Sequence, residues 1–491
     1  MSLPDTPATA AEITEELAAT RTSDAPTTGG RVLAYVYDSG LADLEEVAGS
    51  ALVSFSGVNG LDPTVFPSVA AIENDLVGWG LDLLGGPDDA VGLVTSGGTE
   101  SCMLAVKTAR QAWRRRTGEP TGRPTVVLPI TAHSAFIKGA RYFDVDLRVL
   151  PVDPDTFQAR PADVAQALLE LGDRACLVVV STPSYAHGVM DPVVEIAAVA
   201  EPLGVPVHVD ACIGGWVLPF MTQLGYDVPD FDLRVPGVRS LSVDLHKYAY
   251  APKGSSLLLF SDADYRMSAF FAYSDWPGYP VVNTTMQSTK SAGPMAAAWA
   301  VARRIGADGY RDLVRSAREA TEQIAAAVAG IEGLRVVGEP ASTLIALASD
   351  GDDGVDPFVL ADRMKARGWF IQAQPGVGGM PRTAHLTVQA TTLANVSEFL
   401  EALTAAAAET RALPPAQADA QLMAAAEQID PAALDLPTLS ALLTFAGLDP
   451  SGTPTLPDEA AGIQALIEAL PTGLRDAMLA GYFSAIFQPH R

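Results

Sequence analysis

Between residues 90 and 260, short apolar runs rich in β-branched residues alternate with stretches whose apolar positions recur at helical spacing. The runs are Val91–Val94, Val126–Leu128, Leu147–Leu150, Leu177–Val180, Val205–Val209, Arg239–Val243 and Ser256–Phe260. Strands separated by helices build βα units, and near-continuous apolar runs fit strands covered on both faces. The pattern therefore predicts one large α/β domain on a mostly parallel sheet. Upstream, Ala11–Thr20, residues 41–56 and residues 67–84 carry helical spacing. Near residue 291 a long Ala-rich helix begins. Leu334–Val337, Ser342–Ala348, Trp369–Gln374 and His385–Val388 then predict the strands of a second, smaller α/β unit. Residues 409–491 are rich in Ala and Pro, with loops at Pro414–Pro415 and Asp449–Glu459 between helices. The expected organisation is an arm with helices (1–60), a large domain (61–290) and a small C-terminal domain with a helical tail (291–491).

Composition narrows the functional classes. Lys and Arg number 32 against 58 Asp and Glu, a formal charge of −26, in 491 residues. Such acidity argues against binding a nucleic-acid backbone or an anionic membrane surface. The N-terminus lacks a basic region followed by an apolar one, and no stretch of about 18 residues is continuously apolar, so neither a signal peptide nor a membrane span is expected. Cys102, Cys176 and Cys212 are widely spaced and fall in no CxxC or Cys/His ligand pattern. Neither a disulfide framework nor a metal site is expected, and a reducing, cytoplasmic setting fits.

Candidate chemistry follows the strands. After the first comes Thr95-Ser96-Gly97-Gly98-Thr99-Glu100-Ser101 and then a helix with an apolar stripe at Cys102, Val106, Ala109 and Trp113. Paired glycines and a helix N-terminus can cradle a phosphate, with a hydroxyl from Thr99 or Ser101, although an ordinary capped turn reads the same way. His133 follows the second strand and can stack on a planar ring or carry a proton, or be structural. Ser181 follows the fourth and offers a hydroxyl, or simply a turn before Pro183. Asp210 ends the fifth, at the edge where open α/β sheets bind ligands, or caps the next segment. Lys247 follows the sixth in apolar and aromatic company, where burial should lower its pKa and favour a nucleophilic amine that can form a Schiff base; a lone lysine is otherwise a surface ion pair. A phosphate cradle, a His, an Asp and a Lys after different strands of one sheet make up the set that pyridoxal phosphate requires.

The sequence resembles the pyridoxal-phosphate-dependent group II decarboxylase superfamily, nearest its sphingosine-1-phosphate lyase branch. The resemblance rests on Asp62-Pro63-Thr64-Val65-Phe66-Pro67, the Val94–Ser101 segment, Thr131-Ala132-His133, Tyr185-Ala186-His187-Gly188-Val189-Met190-Asp191-Pro192, His208–Gly215 and Asp244-Leu245-His246-Lys247-Tyr248-Ala249-Tyr250-Ala251-Pro252-Lys253-Gly254-Ser255-Ser256. It runs from about residue 30 to about 400 and reappears near Ala477–Phe487.

The resemblance implies a fold-type I enzyme with a seven-stranded sheet in its large domain, pyridoxal 5'-phosphate as cofactor, and a homodimer with shared sites. Lys247 is then the Schiff-base lysine, Asp210 the partner of the pyridine nitrogen and His133 the ring-stacking residue. Gly97, Gly98, Thr99, Ser181 and His246 belong to the cofactor site. Ser288 and Thr289 reach the partner's cofactor. Tyr250, counted as catalytic, and Lys253 face the substrate, with Tyr35 and Tyr37 beside them. Asp62 stands where the lyase branch carries a phosphate-binding His. A carboxylate there repels a phosphate and points to a neutral or cationic substrate tail. The expected activity is a carbon–carbon lyase on an amino acid or amino alcohol, a decarboxylase or an aldehyde-forming lyase. The alternative is an inactive cofactor-binding homologue acting as a scaffold or regulator.

Overall fold

The computed structural model describes residues 3–118, 121–351, 353–426, 429, 437 and 458–487. Seven strands form the central sheet: β1 (Val91–Thr95), β2 (Thr125–Pro129), β3 (Asp146–Leu150), β4 (Ala175–Ser181), β5 (Val207–Asp210), β6 (Val238–Asp244) and β7 (Ser256–Phe260), in the order β1-β7-β6-β5-β4-β2-β3. The β3/β2, β2/β4, β4/β5 and β5/β6 pairs are parallel; β7 runs antiparallel to β6 and β1. Every residue of β2, β4, β5 and β7 is buried, as expected for strands covered on both faces. The helix Gly98–Thr117 lays Cys102, Val106, Ala109 and Trp113 on one such face. The fifth predicted strand starts two residues late, at Val207, because Pro206 has no N–H for the ladder.

A hairpin follows, β8 (Phe271–Tyr273) and β9 (Val281–Asn283), which the apolar pattern did not predict. The long helix Ala292–Val328 then changes direction at Gly306, whose φ of 63° and ψ of 171° are non-helical. Residues on both sides of that bend, as far as Val314, pack on the large core, and Ala320, Ile324 and Val328 pack on the small one. The small sheet is antiparallel throughout, ordered β10 (Leu334–Val336), β11 (Leu344–Ser349), β13 (Thr383–Thr387), β12 (Gln372–Gln374). The predicted strand at Trp369 shortens to Gln372–Gln374. Trp369 turns inward against Phe399, and Phe370 pairs in parallel with Val32 of the N-terminal segment. The arm is thus not wholly separate: Leu33 N–H donates to Phe370 O, and Thr387 N–H to Leu33 O. The helix Ala10–Thr20, closed by a capping box at Thr9 and Glu12, buries nothing in this chain.

Pro414–Pro415 are irregular as expected. The tail provides helices at Ala420–Ala426, Ala461–Ala469 and Thr472–Ile486, while the loop expected at Asp449–Glu459 lies, up to residue 457, outside the described residues. Among the described residues no helix is long and apolar enough to cross a membrane.

Candidate active site

The parallel strands share one carboxyl edge, and the residues that follow them converge there. Thr99, Glu100, His133, Ser181, Tyr185, Asp210, Asp244, His246 and Lys247 line a cleft of about 430 Å³, together with Gly97, Gly98 and Lys253. It is the crevice at the strands' carboxyl ends where such sheets take ligands.

At its floor, Lys247 Nζ lies 2.9 Å from Asp244 Oδ2. Burial alone would lower the Lys247 pKa, as the sequence suggested. Asp244, three residues away on the same turn, outweighs burial and raises it well above the ordinary value, which corrects that expectation. Asp244 in turn stays below the usual carboxylate range despite full burial, because Lys247 and His246 face it. Asp244 was present in the motif, but nothing in its spacing gave the sign of its effect.

Asp210 approaches from β5. Its Oδ1 accepts from the Cys212 N–H (3.1 Å) and from Ser242 Oγ (3.3 Å), while Oδ2 has only the Cys102 thiol at 4.0 Å. One carboxylate oxygen is thus committed to fixing the side chain and the other is left for a donor in the cleft. Cys102, Asp210 and Cys212 bring ligand-type atoms within 4.8 Å of one another, a proximity that separations of 108 and 2 positions conceal. His133 caps the helix Ser134–Tyr142, its Nδ1 accepting from the Ala135 N–H, so a neutral ring carries its proton on Nε2. At Gly98 a Cβ would stand 2.7 Å from Asp244 and 2.9 Å from Cys212, so the helix can begin this close to the floor only with glycine. The first N–H groups of Gly98–Thr117 then face the cleft as an anion cradle. A lysine at the floor, a half-free buried carboxylate, His133 on the cleft lining and an anion cradle fit pyridoxal phosphate.

Of the other expected residues, Lys253 lines the cleft and the rest lie around or away from it. Tyr37 is half-buried, close enough to Lys247 to feel its charge, its own pKa pushed up to about 12 by desolvation, with the Lys253 ammonium 4.9 Å from its ring. Lys253 also donates to the Tyr35 and His246 carbonyls, and the Tyr35 ring is exposed. Tyr250 does not line the Lys247 cleft. Its φ of 58° swings the ring into a neighbouring cavity of about 720 Å³ that shares only His246 and Lys253 with the cleft. Asp62 also lies outside the cleft of its own chain. It is exposed, and its Oδ1 accepts from the N–H and hydroxyl of Thr64, so it caps the turn before Pro67. Ser288 and Thr289 are exposed as well. Their segment is tied at both ends, by Met286 N–H to Glu100 (2.6 Å) and by Lys290 to Glu73 (2.7 Å). Glu100 also accepts from Ser96 N–H and so couples that segment to the cradle. Glu100, Tyr185 and Glu73 were missed as functional candidates; only their three-dimensional partners reveal them.

Residues 2–348 match the model of the pyridoxal-dependent decarboxylase conserved domain, and residues 420–485 match that of a pyridoxal-dependent enzyme, C-terminal putative HTH domain. Sphingosine-1-phosphate lyase of Dictyostelium discoideum is 35% identical over 349 residues, 71% of this chain and 63% of that protein, so the match spans less than two thirds of that relative's length. A probable L-aspartate decarboxylase of Pyrococcus abyssi is 30% identical over 70% of this chain and 84% of its own. The solved sphingosine-1-phosphate lyase of Burkholderia pseudomallei superposes with a TM-score of 0.78 at 32% identity, covering 87% of this chain and 96% of that one. The half-free Asp210, the Lys247–Asp244 pair and the glycine cradle thus sit on a fold and a sequence with one common source: the chain belongs to the pyridoxal-dependent decarboxylase family.

Proposed function

We propose that the protein is a pyridoxal-phosphate-dependent carbon–carbon lyase acting on an amine or amino acid, a homodimer of the cytoplasm with shared sites. The convergence of Lys247, Asp244 and the half-free Asp210 on one cleft carries this reading. An intact lysine with a buried counter-ion also disfavours a catalytically silent scaffold. Bound cofactor supplies an electron-accepting ring for the charge left when a bond at the substrate's α-carbon breaks. The chain's own residues do the rest. Lys247 holds the cofactor through Nζ, and Asp244 keeps an acceptor 2.9 Å away for a proton leaving that atom. Asp210 Oδ2 would accept from the ring nitrogen and favour its protonated form. The N–H groups at Gly98 and Thr99, with His246 and the Ser181 hydroxyl, would hold the phosphate side, and His133 would stack on the ring.

The neighbouring cavity gives room for the substrate's tail, since it meets the cleft at His246 and Lys253. Leu41, Leu44 and Leu52 line it with Tyr37, Tyr250, Asp38 and Glu45, which supports a neutral or cationic tail over an anionic one. On this reading the two carboxylates take over the role first given to Asp62. A panel of amines and amino acids, scored for carbon dioxide, aldehyde and amine products, tests the proposal. Carbon dioxide identifies a decarboxylase. An aldehyde with a retained amine fragment identifies aldol-type cleavage. Bound cofactor with no product across the panel overturns the enzyme reading.

A further inference from the structure

None of the described residues after 411 lines the cleft itself. The tail's match to a putative HTH domain raises nucleic acid as a partner, but residues 420–485 hold eight acidic residues against a single basic one, Arg475, which opposes a phosphate backbone. Its contacts point instead to the cleft wall. Tyr185, which lines the cleft with Lys247, donates its hydroxyl to Gln372 on β12 (2.5 Å) and stacks on His385 of β13, the ring centroids 4.2 Å apart. The loop 375–382 joins those two strands. At its tip Gly378 lies against Ile130, where a Cβ would come within 2.6 Å of Cδ1, three residues before His133. At its root Met380 packs on Phe157 and Val189. The loop therefore packs behind the cleft, against residues next to the segments that carry His133 and Tyr185.

Its outer side is held by one carboxylate. Glu468, on the helix Ala461–Ala469, accepts the Gly376 N–H on Oε1 (2.7 Å) and Arg382 Nε on Oε2 (2.6 Å). Arg382 continues to Asp356 (2.8 Å) and to the Ala416 carbonyl (2.9 Å). The helix is seated in turn by Asp362, which accepts the Ala460 and Ala461 N–H groups at its start. Glu468 and Asp356 are largely buried, so the pairing is shielded from water.

We propose that the C-terminal segment is a strap that sets the substrate-side wall of the cleft, with Glu468 and Arg382 as positioning residues acting through loop 375–382 on Tyr185. The inference rests on the reading of the cleft as a cofactor-dependent site and assigns the tail a task within it. Both oxygens of Glu468 are in use, so truncating it leaves a backbone N–H and a guanidinium short of a partner.

The test uses the full-length protein loaded with pyridoxal phosphate, as wild type, Glu468→Ala, Glu468→Gln and the control Glu459→Ala, whose carboxylate pairs with Arg363 at the exposed edge of the same segment. Hydrogen exchange over residues 372–385 should quicken about tenfold in Glu468→Ala, as for the loss of roughly one charge-assisted hydrogen bond. Borohydride should bleach the bound cofactor faster, because the cleft wall opens. Glu468→Gln should fall between, since its amide oxygen still accepts from Gly376, and Glu459→Ala should match wild type. On a substrate found by the product panel, KM should rise several-fold with kcat little changed. If Glu468→Ala does not fold, Glu468→Gln decides alone. Exchange and bleaching at wild-type rates in the folded Glu468 variants, or an equal change in Glu459→Ala, overturn the strap. A wild-type protein that takes up no cofactor absorbance fails the cofactor reading instead, and exchange over 372–385 still decides whether the strap holds.

Discussion

Lys247 meets two opposing demands, burial that favours a neutral amine and a carboxylate at 2.9 Å that favours an ammonium, and the second prevails. Wild-type protein loaded with pyridoxal phosphate should absorb in the near-violet, and borohydride should fix the cofactor covalently. Lys247→Ala should lose both that band and the fixation; covalent label retained in the mutant, read by peptide mass, would move the attachment to another amine. Asp210→Asn keeps the shape and the Oδ1 contacts but removes the charge from the cleft-facing end. Turnover should fall by about 10²–10³, the cost of losing one oriented electrostatic partner, with cofactor still bound. Near-normal turnover would show that another group holds the nitrogen. At this scale the sequence was most readable. Lys247, Asp210, His133 and the Gly97–Thr99 turn were legible because each ends or closely follows an apolar strand. Asp244 was not, because its weight depends on a distance, nor was the place of Tyr250, in the neighbouring cavity and not beside Lys247, which a motif does not show.

Among the elements, β4 shows how polar groups are spent inside the sheet. Asp191 is buried and accepts the Ala159 and Ser181 N–H groups, both at 2.8 Å, so it fixes the end of the strand that carries Ser181. Asp191→Ala leaves two buried donors unpaired and should cost about 2–4 kcal/mol, read as a lowered urea midpoint. His187 and His208 are held down to about 4 and His385 to about 3 by burial, whereas burial lifts Asp191 to about 6. A histidine with a lowered folded pKa leaves the unfolded chain to bind the proton first. Its stabilising effect is therefore full above the ordinary value and is lost as pH falls below it. Between pH 7 and pH 5 each of the three should withdraw on the order of 1–2 kcal/mol, and Asp191, with the opposite sign, should return about 1 kcal/mol. Urea midpoints should thus drop clearly from pH 7 to pH 5, and level midpoints would mean that these rings take up protons while folded. Strands of this sheet were predicted well because burial on both faces leaves a continuous apolar run. The exception there is Val205, apolar for packing and not for pairing; in the small unit Trp369 is likewise buried by packing, and Phe370 pairs with the N-terminal segment and not with the sheet. The β8–β9 hairpin escaped because its apolar residues face outward.

For the whole molecule, that hairpin is informative. Phe271, Tyr273, Trp276, Tyr279, Val282 and Met286 are all exposed on one segment that runs directly into Ser288 and Thr289, and the arm helix Ala10–Thr20 has no buried residue among the described ones. Contiguous apolar surface of this kind marks an interaction site. A second copy of the chain covering it would bring Ser288 and Thr289 to the neighbour's cleft by two-fold pairing. Light scattering should give a dimer or a multiple of it, and Trp276→Asp should shift the mass toward the monomer with activity falling in step; a fully active monomer would refute the shared site. The change of pattern near residue 291 was visible in the sequence, and the two sheets lie on either side of it. The pairing of residues 31–33 with Phe370 and Thr387 was not, because a contact between distant segments is invisible to local periodicity.

The strand-like residues 31–33 have a further consequence for how the protein is made. Val32 receives its partners from Phe370 and from Gln389, whose side-chain amide donates to Val32 O across 357 positions of sequence. At a synthesis rate of roughly 5–20 residues per second, this segment leaves the ribosome about 20–70 s before the residues that will pair with it. During that interval the large domain can already collapse, while Leu33 and Ala34, fully buried in the finished protein, have no core to enter. The last-made part of the chain therefore completes the first, and a nascent chain arrested before residue 370 should keep its N-terminal segment open to proteases that cannot reach it afterwards.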